Sequence, residues 1–345
     1  MSWKLYPISE FESFQNDWQR INLEAAASPL LSLEFVLPLL RIFGSGDEIL
    51  ACYEHEHELQ AMAIIRASSR WTWTTFQPSQ APLGAWVQKS DLDWSELLST
   101  LIKQLPNSPL ILGITQQDPD LIPRPRNSNV LRTLDYIQTA RISIQGNFDD
   151  YWNARGKNLR QNMKKQRNKL AKSGITTRLE LCTSAADVSH AIIDYGKLES
   201  SGWKAKEKTA IHHTNSQGLF YRTMLEKFCN QGKGRIYRYW FNDKIVAMDL
   251  CIEGKDNIVI LKTTYDEGLG HAVSPAFLMR EEECKHLFSE NKLKRIEFYG
   301  SVMDWHKKWS DEIRTLYHVN NYRWAILPVI HNAIVKTKSL VSQHK

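Results

Sequence analysis

Two α/β halves of similar size, each a mixed, mostly antiparallel sheet flanked by helices, are what this sequence predicts, and three observations carry the prediction. A chain of 345 residues is longer than one hydrophobic core ordinarily fills and suits two domains. The order helix, helix, hairpin, third strand, loop, helix, strand is read twice, the second time about half a chain later. Hydrophobic residues at 42% and charged residues at 24% describe a globular chain and exclude a fibrous or disordered one.

In the first half a strand over 3–7 leads to a helix over about 10–21, and a second helix over 32–43 closes on Gly44. Strands over 48–53 and 60–67 flank the charged turn Glu54-His55-Glu56-His57-Glu58, whose alternating residues read as a solvated hairpin tip. Trp71-Thr72-Trp73-Thr74-Thr75-Phe76 alternates as a strand does. A loop through Pro78 and Pro82 to Gly84 follows, then a helix over about 94–104, a strand over 109–114, a proline-rich stretch over 119–126 and a strand over 136–144. The boundary falls at Gln145-Gly146, giving domains 1–145 and 146–327 and a helical tail over 328–345.

The second half opens with a basic helix over about 149–172, stopped by Ser173-Gly174, and continues with helices over about 185–198 and 217–229. Strands over 235–241, 245–252 and 258–264 are separated by turns at Asn242-Asp243 and 254–257. A loop from Asp266 to Ser274 ends in a helix that Pro275 opens, proline being favoured at a first helical position. A strand over 295–299 closes the repeat.

Several classes are excluded. No apolar run approaches the roughly 20 residues of a spanning helix, and the N-terminus lacks a signal-peptide pattern, so a cytoplasmic protein is expected, with at most peripheral contact at the inner face of a membrane through the tail. Five scattered cysteines with no Cys-x-x-Cys pair argue for reduced, buried thiols and against a zinc site or disulfide framework. No metal is expected. No Gly-x-Ser-x-Gly elbow or Cys/His pairing supports covalent catalysis. The net charge of +6 is concentrated in one segment, which points to anionic ligands. No base-reading motif appears, so DNA is not an expected partner.

The chemistry gathers in four places. The loop Tyr265-Asp266-Glu267-Gly268-Leu269-Gly270-His271-Ala272-Val273-Ser274 joins a strand to a helix N-terminus through two glycines, an arrangement that presents backbone N–H groups and a helix dipole to a phosphate. Tyr265, Gly268, Gly270, His271 and Ser274 are its candidate cofactor residues. On the basic helix, Arg160, Lys164 and Arg167 fall at i, i+4 and i+7, a like-charge stack that an anion would relieve. In Arg295-Ile296-Glu297-Phe298-Tyr299, alternation puts Glu297 and Tyr299 on one face, a carboxylate to take an amine proton and a phenol to return one to a thiolate. Asp249, set in an apolar strand, is the rival base. Trp203, His306 and Trp309 join aromatic and cationic groups of the kind that line pockets for acyl groups, sugars or nucleotides.

In these residues the chain resembles the GNAT-superfamily acetyltransferases described as involved in cellulose biosynthesis, the CelD/BcsL type, which are similar to Fem-type peptidyl transferases. The matching pieces are the basic helix over 158–170 with Ser173-Gly174, Trp203, Phe220-Tyr221, Asp243-Lys244-Ile245-Val246-Ala247, Tyr265-Asp266, and Glu297-Phe298-Tyr299-Gly300 with His306 and Trp309. The family usually has Asp where Glu297 stands, Tyr-Lys where Trp305-His306 stand, and Pro-Gly where Ser274-Pro275 stand. The resemblance implies tandem GNAT-like domains, the first non-catalytic. It implies acetyl-CoA or another acyl-CoA as donor, its pyrophosphate on the loop from Gly268 to Ser274. The acceptor would be an amine on a small molecule, a sugar or an exopolysaccharide or cell-envelope precursor. Glu297 would be the base and Tyr299 the acid, with Asp249 in reserve, and Arg160, Lys164, Arg167, Trp203, His306 and Trp309 would contact substrate. Fem-type aminoacyl-tRNA as donor is the alternative, the only reading in which tRNA is a partner. A non-catalytic scaffold of polysaccharide assembly is a further one.

Overall fold

A computed structural model describes residues 2–25, 27–200, 211–270 and 273–329. Trp203, His271 and most of the tail over 328–345 lie outside the described residues. The chain divides into two compact units, one of residues up to Val36, Phe43–Ile137 and Thr315 onward, the other of Leu37–Ile42 and Gln138–Arg314.

The first unit begins with β1 (Ser2–Pro7), a 3-10 turn over Ile8–Phe14, α1 (Gln15–Ala25) and α2 (Leu33–Phe43). The expected helix over 10–21 is thus two segments, and its first turns are the tighter kind. Next come β2 (Ile49–His55), β3 (Glu58–Ser69), β4 (Thr72–Thr75), the short β5 (Trp86–Gln88), α3 (Trp94–Gln104), β6 (Ile111–Gln117) and β7 (Leu131–Ser143). Asp93 caps α3 by accepting from the backbone N–H groups of Ser95 and Glu96, which satisfies donors that the first helical turn leaves open. The core gathers Trp3, Trp86 and Trp94, with Trp86 stacked on Trp94 at 5.1 Å between ring centroids.

The second unit runs through α4 (Phe148–Ala154), α5 (Lys157–Lys172), β8 (Thr177–Cys182), α6 (Ala185–Ser200), α7 (Ser216–Asn230), β9 (Gly234–Phe241), β10 (Lys244–Glu253) and β11 (Asn257–Tyr265). It continues with α8 (Pro275–Glu290), β12 (Arg295–Phe298), α9 (Asp304–Trp309) and the start of β13 (Glu312–Tyr322). The basic helix read over 149–172 is therefore broken at Arg155-Gly156. Asn147 caps α4 and Gly156 opens α5. Strands β8 and β13 were not read from the sequence. All five cysteines are buried and free. Among the described residues no helix is long and apolar enough to cross a membrane.

The strands of the two units follow one plan, ordered β1-β2-β3-β4-β6-β13 in the first and β8-β9-β10-β11-β12-β7 in the second. Neighbours are antiparallel except β4 with β6 and β11 with β12, which are parallel. The repeated order of helices and strands is thus matched by a repeated topology. In the second unit α5 and α8 share a core of Met163, Leu170, Leu278, Met279 and Leu287 with the sheet residues Tyr237, Tyr239 and Ile258. Helices α6 and α7 bury Val188, Ile192, Tyr195, Phe220 and Met224.

Candidate active site

The site is built where two parallel strands part. β12 pairs with β11 over four residues, from Asn257↔Arg295 to Ile260↔Phe298, whereas β11 runs on to Tyr265. On its other side β11 pairs with β10, where Leu250 faces Lys262 and Cys251 faces Ile260. Leu261 is therefore an extra residue with no Cα partner in either ladder. A bulge of this kind bends and twists its strand, and β12 ends at Phe298, so beyond their last shared pair β11 runs on without β12 beside it, leaving an open notch, the V, on that side. The extra residue of a bulge is left unpaired in the ladder, so its N–H can serve a ligand that enters the V.

β11 then delivers the chain to the glycine loop. The Asp266 carboxylate accepts from Gly268 N–H at 2.8 Å and from Lys244 Nζ at 2.6 Å. Burial works to raise its pKa, but these two bonds outweigh burial and hold it below the ordinary carboxylate value. Gly270 has φ +68° and ψ 179°, a region almost confined to glycine. Ser274 caps α8 without a side-chain bond, and its N–H donates to Gln166 Oε1 at 2.7 Å. An anion at this helix end therefore meets the amides of Ala276 and Phe277 in the first turn, rather than that of Ser274. Tyr265 is exposed beside the loop.

The expected carboxylates are both ion-paired. Glu297 is 2% exposed and lies 2.8 Å from Arg314 and 3.6 Å from Arg295. It falls within the paired part of β12, before the V opens. Asp249 is fully buried, 2.6 Å from Arg280 Nη2. Each carboxylate is thus engaged by an arginine rather than open to an incoming amine. Tyr299, expected to share a strand face with Glu297, follows the last residue of β12, half-buried at the V, with the Arg314 guanidinium 5.2 Å from its ring centroid.

The aromatic residues divide. His306 on α9 stacks on Trp305 at 3.5 Å and meets Phe298 edge-on at 5.3 Å, which brings it to the end of β12. Its Nδ1 accepts from Met303 N–H at 2.9 Å, so a neutral ring carries its proton on Nε2. Burial, aided by the Arg280 charge, pushes its pKa down to about 4. Trp309 is 1% exposed, packed against Trp152 and Phe277, so it is a core residue rather than a pocket wall.

On α5 the expected like-charge stack is largely relieved by the protein itself. Arg167 pairs with Glu281 and Glu282 of α8, each at 2.8 Å, and Arg160 donates to Arg155 O and Asn153 Oδ1. Lys164 stays exposed, lining a groove of about 780 Å3 with Lys165, Lys169 and Lys172. A second cleft, of about 500 Å3, runs from Arg155 and Gly156 at the start of α5 to Phe277, Lys307 and Lys308.

The burial of His306 gives a pH dependence whose sign follows from the direction of its shift. Its folded pKa lies below the unfolded value of 6.5, so the unfolded chain takes up the proton first. Stability should fall as pH drops from about 6.5 to about 4 and level off below. Between pH 7 and pH 5 the loss is about 2 kcal/mol, measured by urea unfolding. His306→Gln should flatten that slope, and an unchanged slope would reject the assignment.

The corresponding place in the first unit is filled by the chain itself. β4 and β6 pair from Thr72↔Ile111 to Thr74↔Gly113. Just beyond, the Thr75 and Thr115 hydroxyls join at 2.7 Å, and Gly84 N–H donates to Thr115 O at 3.2 Å. A Cβ at Gly84 would overlap Thr75 Oγ1 and come within 2.5 Å of Thr115 O. Gly84→Ala is expected to cost about 1–3 kcal/mol in a thermal or urea melt; a neutral result would show this seam to be looser than the contacts imply.

Residues 157–307, within the second unit, match the family model described as Acetyltransferase (GNAT) domain. No curated protein matches the sequence. Among solved structures, FemX is similar with a TM-score of 0.56 at 9% identity, over 92% of this chain and 97% of that one. The C-terminal domain of a putative lysylphosphatidylglycerol synthetase from Agrobacterium fabrum has a TM-score of 0.55 at 13% identity, over 94% and 97%. A tandem GNAT protein from the clavulanic acid biosynthesis pathway has a TM-score of 0.47 at 9% identity, over 92% and 98%. At these identities the likeness to FemX and to the synthetase domain is one of fold alone.

Proposed function

We propose that the second unit is an N-acyltransferase that moves an acyl group from acyl-CoA to an amine, and that the first unit is a non-catalytic partner. The observation that carries the reading is the V opened by the Leu261 bulge, leading directly into the Gly268–Gly270 loop and the α8 N-terminus. The loop and the first α8 amides hold the pyrophosphate, and the cleft with Arg155, Lys307 and Lys308 takes the nucleotide end. The V takes the thioester arm, and backbone N–H groups at the bulge polarise its carbonyl. The amine nitrogen attacks the thioester carbon, the C–S bond breaks with its electron pair on sulfur, and Tyr299 gives the thiolate its proton and regains one from water. Neither Glu297 nor Asp249 takes the amine proton without first leaving its arginine, so that proton passes to water. In the first unit the Thr75–Thr115–Gly84 seam occupies the space a donor would need. The resemblance to the CelD/BcsL type supports a sugar or cell-envelope precursor as acceptor.

Thermal melting with acetyl-CoA, longer acyl-CoAs and desulfo-CoA tests the reading, since a ligand selective for the folded state raises the midpoint. Gly270→Val is expected to weaken CoA binding by about tenfold or more, roughly 1.4 kcal/mol, because valine resists that backbone conformation. No shift with any CoA, or a shift that Gly270→Val leaves intact, would count against the loop as the phosphate site.

The exposed lysines of the α5 groove favour a second reading, an aminoacyl-tRNA donor. It requires binding of tRNA that weakens steeply with salt.

A further inference from the structure

Below the V lies a group of buried charges that the proposed transfer does not use. Arg280 of α8 holds Asp249 at 2.6 Å and Glu283 at 2.5 Å. Its side chain is 3% exposed, and those of its two partners are 0%. The guanidinium touches both walls of the V. Nη2 is 3.4 Å from Thr263 Oγ1 on β11, and the guanidinium carbon lies 5.2 Å from the ring centroid of Phe298, the last paired residue of β12. Thr263 is opposite Asp249 in the ladder, so the acid and the hydroxyl share one sheet face, and Thr263 is half-buried. Oxygen and sulfur atoms of Asp249, Cys251 and Glu283 lie within 4.8 Å of one another, and the cation among them is the guanidinium.

Charges in such a place are not the cheapest way to fill a core. An apolar group of similar volume is often as stabilising as a buried ion pair. What the cluster does is put a rigid, polar, closed end where the strands separate. A long alkyl chain entering from the thioester would have to displace Arg280, leaving Asp249 and Glu283 without their guanidinium, or lie against the polar cluster with the Phe298 ring as its apolar surface.

We propose that Asp249, Arg280 and Glu283 form a charged plug that limits the transferred acyl group to short chains of the acetyl class and rejects fatty acyl groups. The proposal rests on the acyl-CoA reading above. Arg280 acts as a specificity residue, closing the pocket beyond the reacting carbon, with Thr263 and Phe298 as the surfaces the acyl methyl meets.

Calorimetric titration of the full chain with desulfo-CoA, acetyl-CoA, butyryl-CoA and octanoyl-CoA tests it. Desulfo-CoA and acetyl-CoA should bind alike, with octanoyl-CoA weaker than acetyl-CoA by about tenfold or more. The triple variant Asp249→Asn/Arg280→Met/Glu283→Gln removes the charges while keeping the volume, and should lose most of that discrimination, its circular dichroism and melt reporting whether it folds. The wild-type chain-length profile decides the matter even if the variant does not fold. Octanoyl-CoA binding as tightly as acetyl-CoA overturns the plug and leaves the donor reading standing. Binding of no CoA species overturns the donor reading and the plug with it.

Discussion

Arg280→Met should cost the second unit about 3–5 kcal/mol of stability, the usual consequence of removing one partner from a buried ion pair. The residue is 2% exposed and answers two carboxylates at once. Burial, only partly opposed by the Arg280 charge, already pushes the Glu283 carboxyl well above the usual carboxylate range, with Asp249 as a further cause. Without the guanidinium nothing opposes the burial of the Glu283 carboxyl, which must stay protonated to remain inside. A carboxyl whose folded pKa is raised supports folding below its unfolded value, about 4, and loses that support as pH rises. The variant should therefore be more impaired at pH 7.5 than at pH 5 in urea unfolding. Removing the carboxylates too, as Asp249→Asn/Arg280→Met/Glu283→Gln, should restore much of the loss, a non-additivity expected of groups in one cluster. A single variant that loses under about 1 kcal/mol, equally at both pH values, would show that water reaches these groups.

What could be read from the sequence was the local part of this fold. Asn242-Asp243 and the turn at 254–257 punctuate β9, β10 and β11, and Pro275 marks the start of α8, so these elements and the glycine loop were legible. What needs distant partners was not. β13 pairs with β6, some two hundred residues upstream, and without β13 nothing indicated that Arg314 would meet Glu297. The charges that answer Arg167 are 114 and 115 residues away. The bulge at Leu261 involves neither glycine nor proline, the residues that announce such features. It is visible only as a missing step between two ladders. The site was thus legible at its phosphate end and hidden at its acyl end, where strand register and buried pairing decide the geometry.

Glu297→Gln separates a structural carboxylate from a catalytic one. The side chains of Glu297 and Arg314 are 3% and 9% exposed, 2.8 Å apart, so neutralising the acid leaves a guanidinium largely out of water. The expected loss is about 3 kcal/mol in a urea melt, and the double variant Glu297→Gln/Arg314→Gln should lose less than the sum of the two single variants. At temperatures where the single variant is still folded, its affinity for acetyl-CoA should match that of the native chain, because Glu297 precedes the V. Any fall in turnover would then act through Tyr299, whose ring the Arg314 guanidinium overlies at 5.2 Å, as a loss of positioning. Tyr299→Phe should behave in the opposite way, keeping the ring and its cation contact, melting within about 1 kcal/mol of the native chain, yet losing turnover because the thiolate has no proton donor. If Glu297→Gln instead melts like the native chain and abolishes turnover, the carboxylate leaves Arg314 during the reaction and is the base after all.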